Sequence, residues 1–349
     1  MIRLVRIMDR LSQTSSYLKL INQELPVSAQ FDPRHASVMM GYDFHVTEEG
    51  PKLIEINTNA GGSHLACRAA FPDYVDNIRA LPVKLISKVW KTFCLEYSAY
   101  RGRLHESPKR VVIIDEDPQG QALYGEMCRF VDLFNLMGAE ASIADPSQLT
   151  ANSDGVFLAG QRVDLIYNRH CDFYLNREAL SGLRSAYLSR QVCLTPNPRM
   201  YGLLADKKRL GLWSDRKSLD VLPLNKSEVK LLFDTIPETH LLADLDKETV
   251  WGERKHWVFK PTTKYGSKGV LLGEKITHKR FDQLDPATTV VQRRALPAKV
   301  EIPGFGTMKS DFRLFCYRNQ VLGVTARLYQ GQVTNMQTPG GGFAPVKII

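Results

Sequence analysis

Three groups of residues in this sequence have the types and spacing to do chemistry. The first is Asp43, Glu55 and Asn57, set in two short apolar runs, GYDFHV and KLIEIN, around the turn Glu48-Glu49-Gly50-Pro51. Residues two apart on a strand face the same side, so Glu55 and Asn57 project together, and cross-strand pairing brings Asp43 alongside. Two carboxylates and an amide oxygen on one sheet face form a hard-oxygen site suited to Mg²⁺. The same residues also fit solvent-facing positions of an ordinary hairpin, although Asp and Asn are poor strand formers. The second group is WVFKPTTKYGSKGVLLG, where Lys260 ends a strand and Lys264, Gly266, Ser267, Lys268 and Gly269 make a turn. Glycines let backbone N–H groups approach phosphate oxygens and lysines supply charge. From Glu253 to Arg280 there are eight Lys or Arg against two Glu. The segment is not a P-loop, because GxxxxGK[ST] is absent and strands flank the turn; a solvated basic hairpin fits it as well. The third group is Asp311, Arg313, Arg327 and Asn335, spread over otherwise apolar strands. Guanidinium groups there suit a phosphoryl group, through planar, charge-assisted donors, but also suit a surface strand.

The elements that carry these groups follow from pattern. Residues 1–30 have helical spacing and stop at Pro26, and helical spacing returns over 73–100. The polar stretch RGRLHESPKR, 101–110, reads as a boundary. Beyond it RVVIIDEDPQG is a buried strand running into a turn, and ALYGEMCRFVDLFNLMG is the helix after it. AEASIAD, VDLIYNRH and VCLTPN then predict further strands of an open α/β sheet up to about residue 198. Asp115, Glu116, Gln119, Asn168 and Arg169 fall at strand ends of that sheet, where such folds bind ligands. Helices over 200–235 lead into a β-rich last third with Gly-punctuated hairpins and the tail TPGGGFAPV.

In chain order the three groups mean little together. With residues 1–105 placed after 349, the pieces ADKKRL (205–210), VFKPTTKYGSKG (258–269), VVQRRALP (290–297), SDFRLF (310–315), TARLYQGQVTNMQTPGGG (325–342) and YDFHVTEEGPKLIEINTNAGG (42–62) resemble the ATP-grasp superfamily in circularly permuted order. The last piece, D-x₁₁-E-x-N with a Gly-rich continuation, matches the family's metal hairpin most specifically. The resemblance covers roughly 1–65 and 200–349, and 110–198 looks like the Rossmann-like domain that precedes the nucleotide-binding lobes. It implies an α/β protein with permuted ATP-grasp lobes: 1–100 carrying the metal hairpin, 108–198 the Rossmann-like unit, 200–349 the nucleotide-binding lobes. It further implies ATP and Mg²⁺ as cofactors. Lys207 and Lys260 would touch the α- and β-phosphates, with Lys208 an alternative to Lys207. The turn holding Lys264, Gly266, Ser267 and Gly269 would close over the phosphates. Gln292 to Leu296 would form the adenine hinge, largely through backbone, although Gln292-Arg293 stands where many relatives have an acidic residue. Asp43, Glu55 and Asn57 would hold the metal, and Arg327, Asn335 and Arg313 would stabilise the transferring phosphoryl group.

The implied reaction suits the residue inventory. A carboxylate is a poor electrophile, so ATP converts it to an acyl phosphate that an amine attacks; such transfer needs positioning and charge neutralisation more than a covalent catalyst. The favoured expectation is therefore an ATP-dependent carboxylate–amine ligase acting on amino-acid or peptide-like substrates. The alternative is a catalytically inactive ATP-grasp module that binds nucleotide or scaffolds a partner; the intact Asp43, Glu55 and Asn57 set speaks against it. Of the eight His, His45 and His64 lie nearest the hairpin, and a structural role is the commoner case for each. Composition sets the outer bounds. At 349 residues, 44% hydrophobic and 24% charged, the chain has the makeup of a globular protein with two or three units. The formal net charge of +9 suits anionic partners, but no nucleic-acid reader motif is present and the basic residues gather at the expected phosphate site. Six scattered Cys form no CxxC pair, which predicts reduced thiols. No apolar run approaches the ~20 residues of a membrane helix, and Arg3, Arg6, Asp9 and Arg10 interrupt any signal-peptide core, so a cytoplasmic protein without a membrane partner is expected. Self-association stays open.

Overall fold

The computed structural model describes residues 1–75, 77–263, 266, 269–336 and 338–347. Its largest sheet is antiparallel and runs Gly342–Pro345, Gln320–Tyr329, Gly306–Tyr317, Met40–Thr47, Gly50–Asn57, with Ala298–Ile302 also paired to Gly306–Tyr317. The hairpin predicted at 42–57 is thus a continuation of strands from the other end of the chain, with Asp43 opposite Arg313. Alternation explains its two faces. Met40, Tyr42 and Phe44, with Leu314 and Cys316, enter a core shared with Leu4, Ile7 and Met8 of the helix Ile2–Leu11 and with Leu210 and Trp213. Asp43 and Arg313 face the other way.

One detail of the hairpin was not predicted. Asp43 pairs with Glu55 but Phe44 pairs with Leu53, so Ile54 is an extra residue in its strand. Such a bulge flips the alternation. Leu53 and Ile56 both reach the same core, where a regular strand would send them to opposite faces.

The strands predicted over 110–198 form a parallel sheet in the order Glu140–Ala144, Arg110–Ile114, Leu165–Asn168, Cys193–Thr195. Both faces are covered, as parallel sheets require. Val111 and Ile113 pack with Trp90, Phe93, Phe130 and Phe134 of the helices Val83–Arg101 and Tyr124–Leu136, while Val112 and Ile114 pack with Leu183 and Tyr187 of Ser181–Leu188. The expectation of helix from residue 73 is corrected. A regular helix starts only at Val83, where Pro82 takes the N-cap, and Asn77 caps a single 3₁₀ turn, Ile78–Ala80, before it. That long helix lies on the parallel sheet. Residues 101–105 and 107 are exposed.

A third, smaller antiparallel sheet runs Thr239–Leu241, Thr289–Arg293, Trp257–Pro261, Leu271–Leu272. Trp257, Phe259 and Val291 fill its own core with Val250 and Phe281, so Val258 and Lys260 point to the opposite face. The expected strand over 269–273 is reduced to Leu271–Leu272. Motifs in rotated order predict that Ile349 lies near Met1, and Ile349 is outside the described residues. No described helix is long and apolar enough to cross a membrane.

Candidate functional site

A cleft of about 890 Å³ lies among the large sheet, the small sheet and the ends of the parallel strands. Asp43, Glu55, Asn57, Lys260, Gly266, Gln292, Leu296, Arg313, Arg327 and Asn335 all line it. Lys207 joins them from behind, its Nζ lying 3.8 Å from Glu55 Oε2. Of the Lys207-Lys208 doublet it is therefore Lys207, itself buried, whose ammonium reaches the cluster. Lys264 and Ser267 lie outside the described residues, and Gly269, with φ +78°, is not among the lining residues.

The hairpin cluster converges on one atom. Asn57 Nδ2 donates to Asp43 Oδ2 at 3.2 Å and to Glu55 Oε1 at 3.3 Å, so both carboxylates face a common point. Among the described residues no group of three or more His, Cys, Asp or Glu could hold a metal ion. The cation site would consist of two carboxylates and the Asn57 amide. That donor set fits a hard divalent ion, because the amide N–H group marks a place where both carboxylates accept positive charge, and rotating the amide would present its oxygen there.

Asp43 is only 2% exposed and is held by two arginines. Arg313 Nε and Nη2 reach its two oxygens at 2.7 and 2.6 Å, and Arg327 Nη2 lies 3.0 Å from Oδ2. Burial alone would push the Asp43 carboxyl up, but Arg313 and then Arg327 overcome it and hold it well below the usual carboxylate range. Arg313 Nη1 donates to Gly61 O at 2.9 Å, so all three of its guanidinium nitrogens are engaged. Arg313 lines the cleft, and its side chain also ties the hairpin to the Gly61 loop. Arg327 Nε donates to Asp311 Oδ1 at 2.6 Å, and the Thr334 hydroxyl donates to Asp311 Oδ2 at 2.6 Å. Burial would lower the Arg327 pKa, but Asp43 and Asp311 raise it, which keeps its charge in place.

The bulge has a use at this site. Ile54 O, left out of the strand ladder, accepts from Lys260 Nζ at 3.0 Å. Lys260 Nζ also donates to Gln292 Oε1 at 2.5 Å, and Gln292 Nε2 donates to Thr239 Oγ1 at 3.2 Å. Burial pulls the Lys260 ammonium down to about 8, countered by Glu55. The buried Gln292 side chain therefore positions a lysine, a role beyond the backbone hinge expected of it. Downstream, Arg294 N donates to His256 O at 2.8 Å, and His45 Nδ1 hydrogen-bonds Ala295 O at 2.7 Å. His45 is thus a brace for that segment; its pKa is lowered by burial. His64 lines a separate apolar cavity of about 270 Å³ and pairs through Nδ1 with the Tyr74 hydroxyl at 2.8 Å.

Of the five strand-end candidates, Asp115 and Arg169 line the cleft. Glu116 pairs with Arg177 at 2.6 Å on the surface, and Gln119 is exposed. Asn168 is buried, accepting from His170 N at 3.1 Å and donating to Pro196 O at 3.5 Å, so it shapes the strand end. Asn168 ends the strand and turns toward Pro196, while Arg169, the first residue past it, lines the cleft. Glu126 escaped sequence reasoning. It lies buried under the loop, accepting from Ser63 Oγ at 3.1 Å and His64 N at 3.0 Å at the start of the helix Ser63–Ala70, with Arg169 Nη2 at 3.5 Å. An acid inside a helical apolar pattern carries no spacing signal for such a role. The loop itself needs its glycines: a side chain on Gly62, at φ +92°, would run into the Phe343 ring.

No family model matches the sequence, and no curated protein matches it. Solved structures do. A Methylobacillus flagellatus protein described as "Putative gamma-glutamylcysteine synthetase" matches with TM-score 0.56 and 11% identity, over 99% of this chain and 87% of that one. The ATP-grasp ligase PsnB, complexed with a minimal precursor, matches at TM-score 0.41 and 16% identity over 69% of this chain and 78% of its own. D-cycloserine synthetase DcsG matches at TM-score 0.35 and 15% identity, over 67% and 71%. The likeness to the Methylobacillus flagellatus protein runs along nearly the whole chain. This chain therefore has a mixed α/β fold like that of the Methylobacillus flagellatus protein.

Proposed function

We propose that this chain is an ATP-dependent carboxylate–amine ligase that forms peptide-like bonds through an acyl phosphate, with ADP and phosphate as products. One observation carries the reading. Asp43, Glu55 and Asn57, Lys260, and Arg327 come from segments up to 284 residues apart in sequence and line one cleft of a size suited to a nucleotide and a second substrate. The pairing of Met40–Thr47 with Gly306–Tyr317 supports motifs in rotated order, with 1–100 and 200–349 contributing to one ATP-grasp unit and 108–198 forming the Rossmann-like unit.

In this reading Lys260 and Lys207 supply charge to the α- and β-phosphates, and the turn around Gly266 covers them. Residues 292–296, ending at the exposed Leu296, flank the adenine. Asp43, Glu55 and Asn57 would hold Mg²⁺, which would supply charge neutralisation for the phosphates. Arg327 and Asn335 stand on the side of the cleft where the phosphoryl group would transfer, and Arg313 keeps Asp43 in register. Apolar Val258, Val270 and Leu272 line the cleft with Lys260, and a low-polarity wall of this kind strengthens each charge contact.

The test is ATP consumption by the full chain with Mg²⁺ and pooled amino acids and small carboxylates. ADP and phosphate are expected. AMP and pyrophosphate would replace the acyl phosphate with an adenylate, nucleotide binding without turnover would leave the inactive-module alternative, and no nucleotide binding would remove both.

A further inference from the structure

Four acidic residues line the cleft, and three of them are committed to cations. Asp43 is held by Arg313 and Arg327, Asp311 by Arg327, and Glu55 faces Lys207. Asp115 differs. Among the described residues its carboxylate takes a single hydrogen bond, from Glu116 N–H at 2.9 Å, and has no ion pair. It stands just past the C-terminal end of Arg110–Ile114, beside Arg169, which follows the neighbouring parallel strand Leu165–Asn168 and whose N–H donates to Ile114 O at 2.8 Å. Open parallel sheets present ligands at this edge.

The surroundings connect Asp115 to the reacting end of the cleft. Arg169 Nη1 donates to Asn59 O at 3.2 Å and to Ala60 O at 3.5 Å, and the next carbonyl, Gly61 O, accepts from Arg313 Nη1. The loop 59–61 is thus tied by Arg313 to the metal hairpin and by Arg169 to the strand end at which Asp115 stands. A half-buried carboxylate that lines the cleft, feels Arg169 nearby and makes no ion pair among the described residues suits a ligand that brings a cation.

We propose that Asp115 binds the ammonium group of the amine substrate and accepts the proton that this group must lose before it attacks. The substrate class is a primary amine protonated at neutral pH, such as an amino acid or peptide N-terminus. This inference rests on the ligase reading. The balance is simple: the ammonium gives one proton to the Asp115 carboxylate, and the free amine lone pair forms the C–N bond at the acyl phosphate carbon. The C–O bond to phosphate then breaks, the second amine proton leaves with phosphate as hydrogen phosphate, and Asp115 returns its proton to solvent. Burial pushes the Asp115 carboxyl up to about 6, against the Glu116 N–H hydrogen bond and Arg169, which lower it, with the Glu116 and Asp145 carboxylates raising it, which suits an acceptor poised near neutral pH.

The experiment uses the full chain with Mg²⁺ and ATP, the twenty amino acids as pooled substrates, and hydroxylamine as a second nucleophile. Hydroxylamine is largely uncharged at neutral pH and needs no carboxylate to deprotonate it. Amide and hydroxamate products are measured by mass spectrometry. Asp115→Asn is expected to lower the amide-to-hydroxamate ratio by about 100-fold or more, the range for loss of a positioned base, and to remove the acidic limb near pH 6 from the amide rate. A ratio within about threefold of wild type, or an unchanged acidic limb, overturns the inference while the ligase reading stands. Calorimetric MgATP binding checks the fold of the variant. If Asp115→Asn does not bind MgATP, Asp115→Glu decides instead: it keeps the limb if the carboxylate is the acceptor, and a lost limb with intact MgATP binding overturns the inference. A wild-type chain that makes neither product sinks the ligase reading and this inference with it.

Discussion

Asp43 and Arg313 sit directly opposite each other on neighbouring antiparallel strands and form a buried, two-pronged ion pair with distances of 2.7 and 2.6 Å. The pair joins residues 270 positions apart and fixes Asp43 together with the hydrogen bond from Asn57 within the hairpin. Because Asp43 points away from the apolar core, its position depends on its charge partners. Arg313 also reaches Gly61 O, so the same side chain sets the height of the loop that follows Asn57.

Removing one member of a buried pair leaves the other charged and desolvated. Arg313→Ala is expected to lower stability by about 3 kcal/mol, moderated by Arg327, which remains beside Asp43. Arg313→Lys should recover only part of this, because an ammonium lacks the planar fork. Urea unfolding measures both, and a loss below about 0.5 kcal/mol for the alanine variant, typical of exposed pairs, would show that the pair does not hold the hairpin.

Glu55→Gln keeps the shape of the side chain and removes its charge. Turnover should fall at least about 100-fold while circular dichroism and the melting profile stay as in wild type, since Glu55 supplies one of two carboxylates to the cation site. Near-normal ADP release from this variant would make Glu55 an ordinary strand residue.

Lys260→Ala should act on nucleotide affinity first. A charge-assisted hydrogen bond is worth about 1.5–3 kcal/mol, which is about a 10- to 150-fold rise in the ATP dissociation constant. The Mg²⁺ dependence should remain, because the hairpin oxygens are untouched. Calorimetry on both chains reads this, and equal affinities would place the phosphates elsewhere in the cleft.

Asp115 also has a signature in stability. Its carboxyl titrates at about 6 in the folded chain, above the unfolded value near 4. A raised carboxyl contributes its stability below the unfolded value and loses it as pH rises to the folded value, so the wild type should weaken between about pH 4 and 6 relative to Asp115→Asn. At pH 7 the asparagine variant should be the more stable by about 1 kcal/mol, after allowance for solvent screening of a part-exposed group. Melting curves at pH 4 and 7 check the sign, and a pH-independent difference would refute it.

The sequence by itself determined the local pieces. Alternation in GYDFHV and KLIEIN specified a hairpin with Glu55 and Asn57 together, and RVVIIDEDPQG specified a buried strand. These signals are local because strand periodicity and turn chemistry act within a few residues. What only the tertiary structure decided is which side chains meet. The bulge at Ile54 frees a carbonyl for Lys260, Gln292 turns inward to that same lysine, and Lys207 rather than Lys208 reaches Glu55. Asn168 and Arg169 are neighbours in the chain, yet one is sealed in the strand end and the other enters the cleft. Each of these outcomes depends on packing between elements remote in sequence, and a contact across 270 residues leaves no mark on the pattern around either partner.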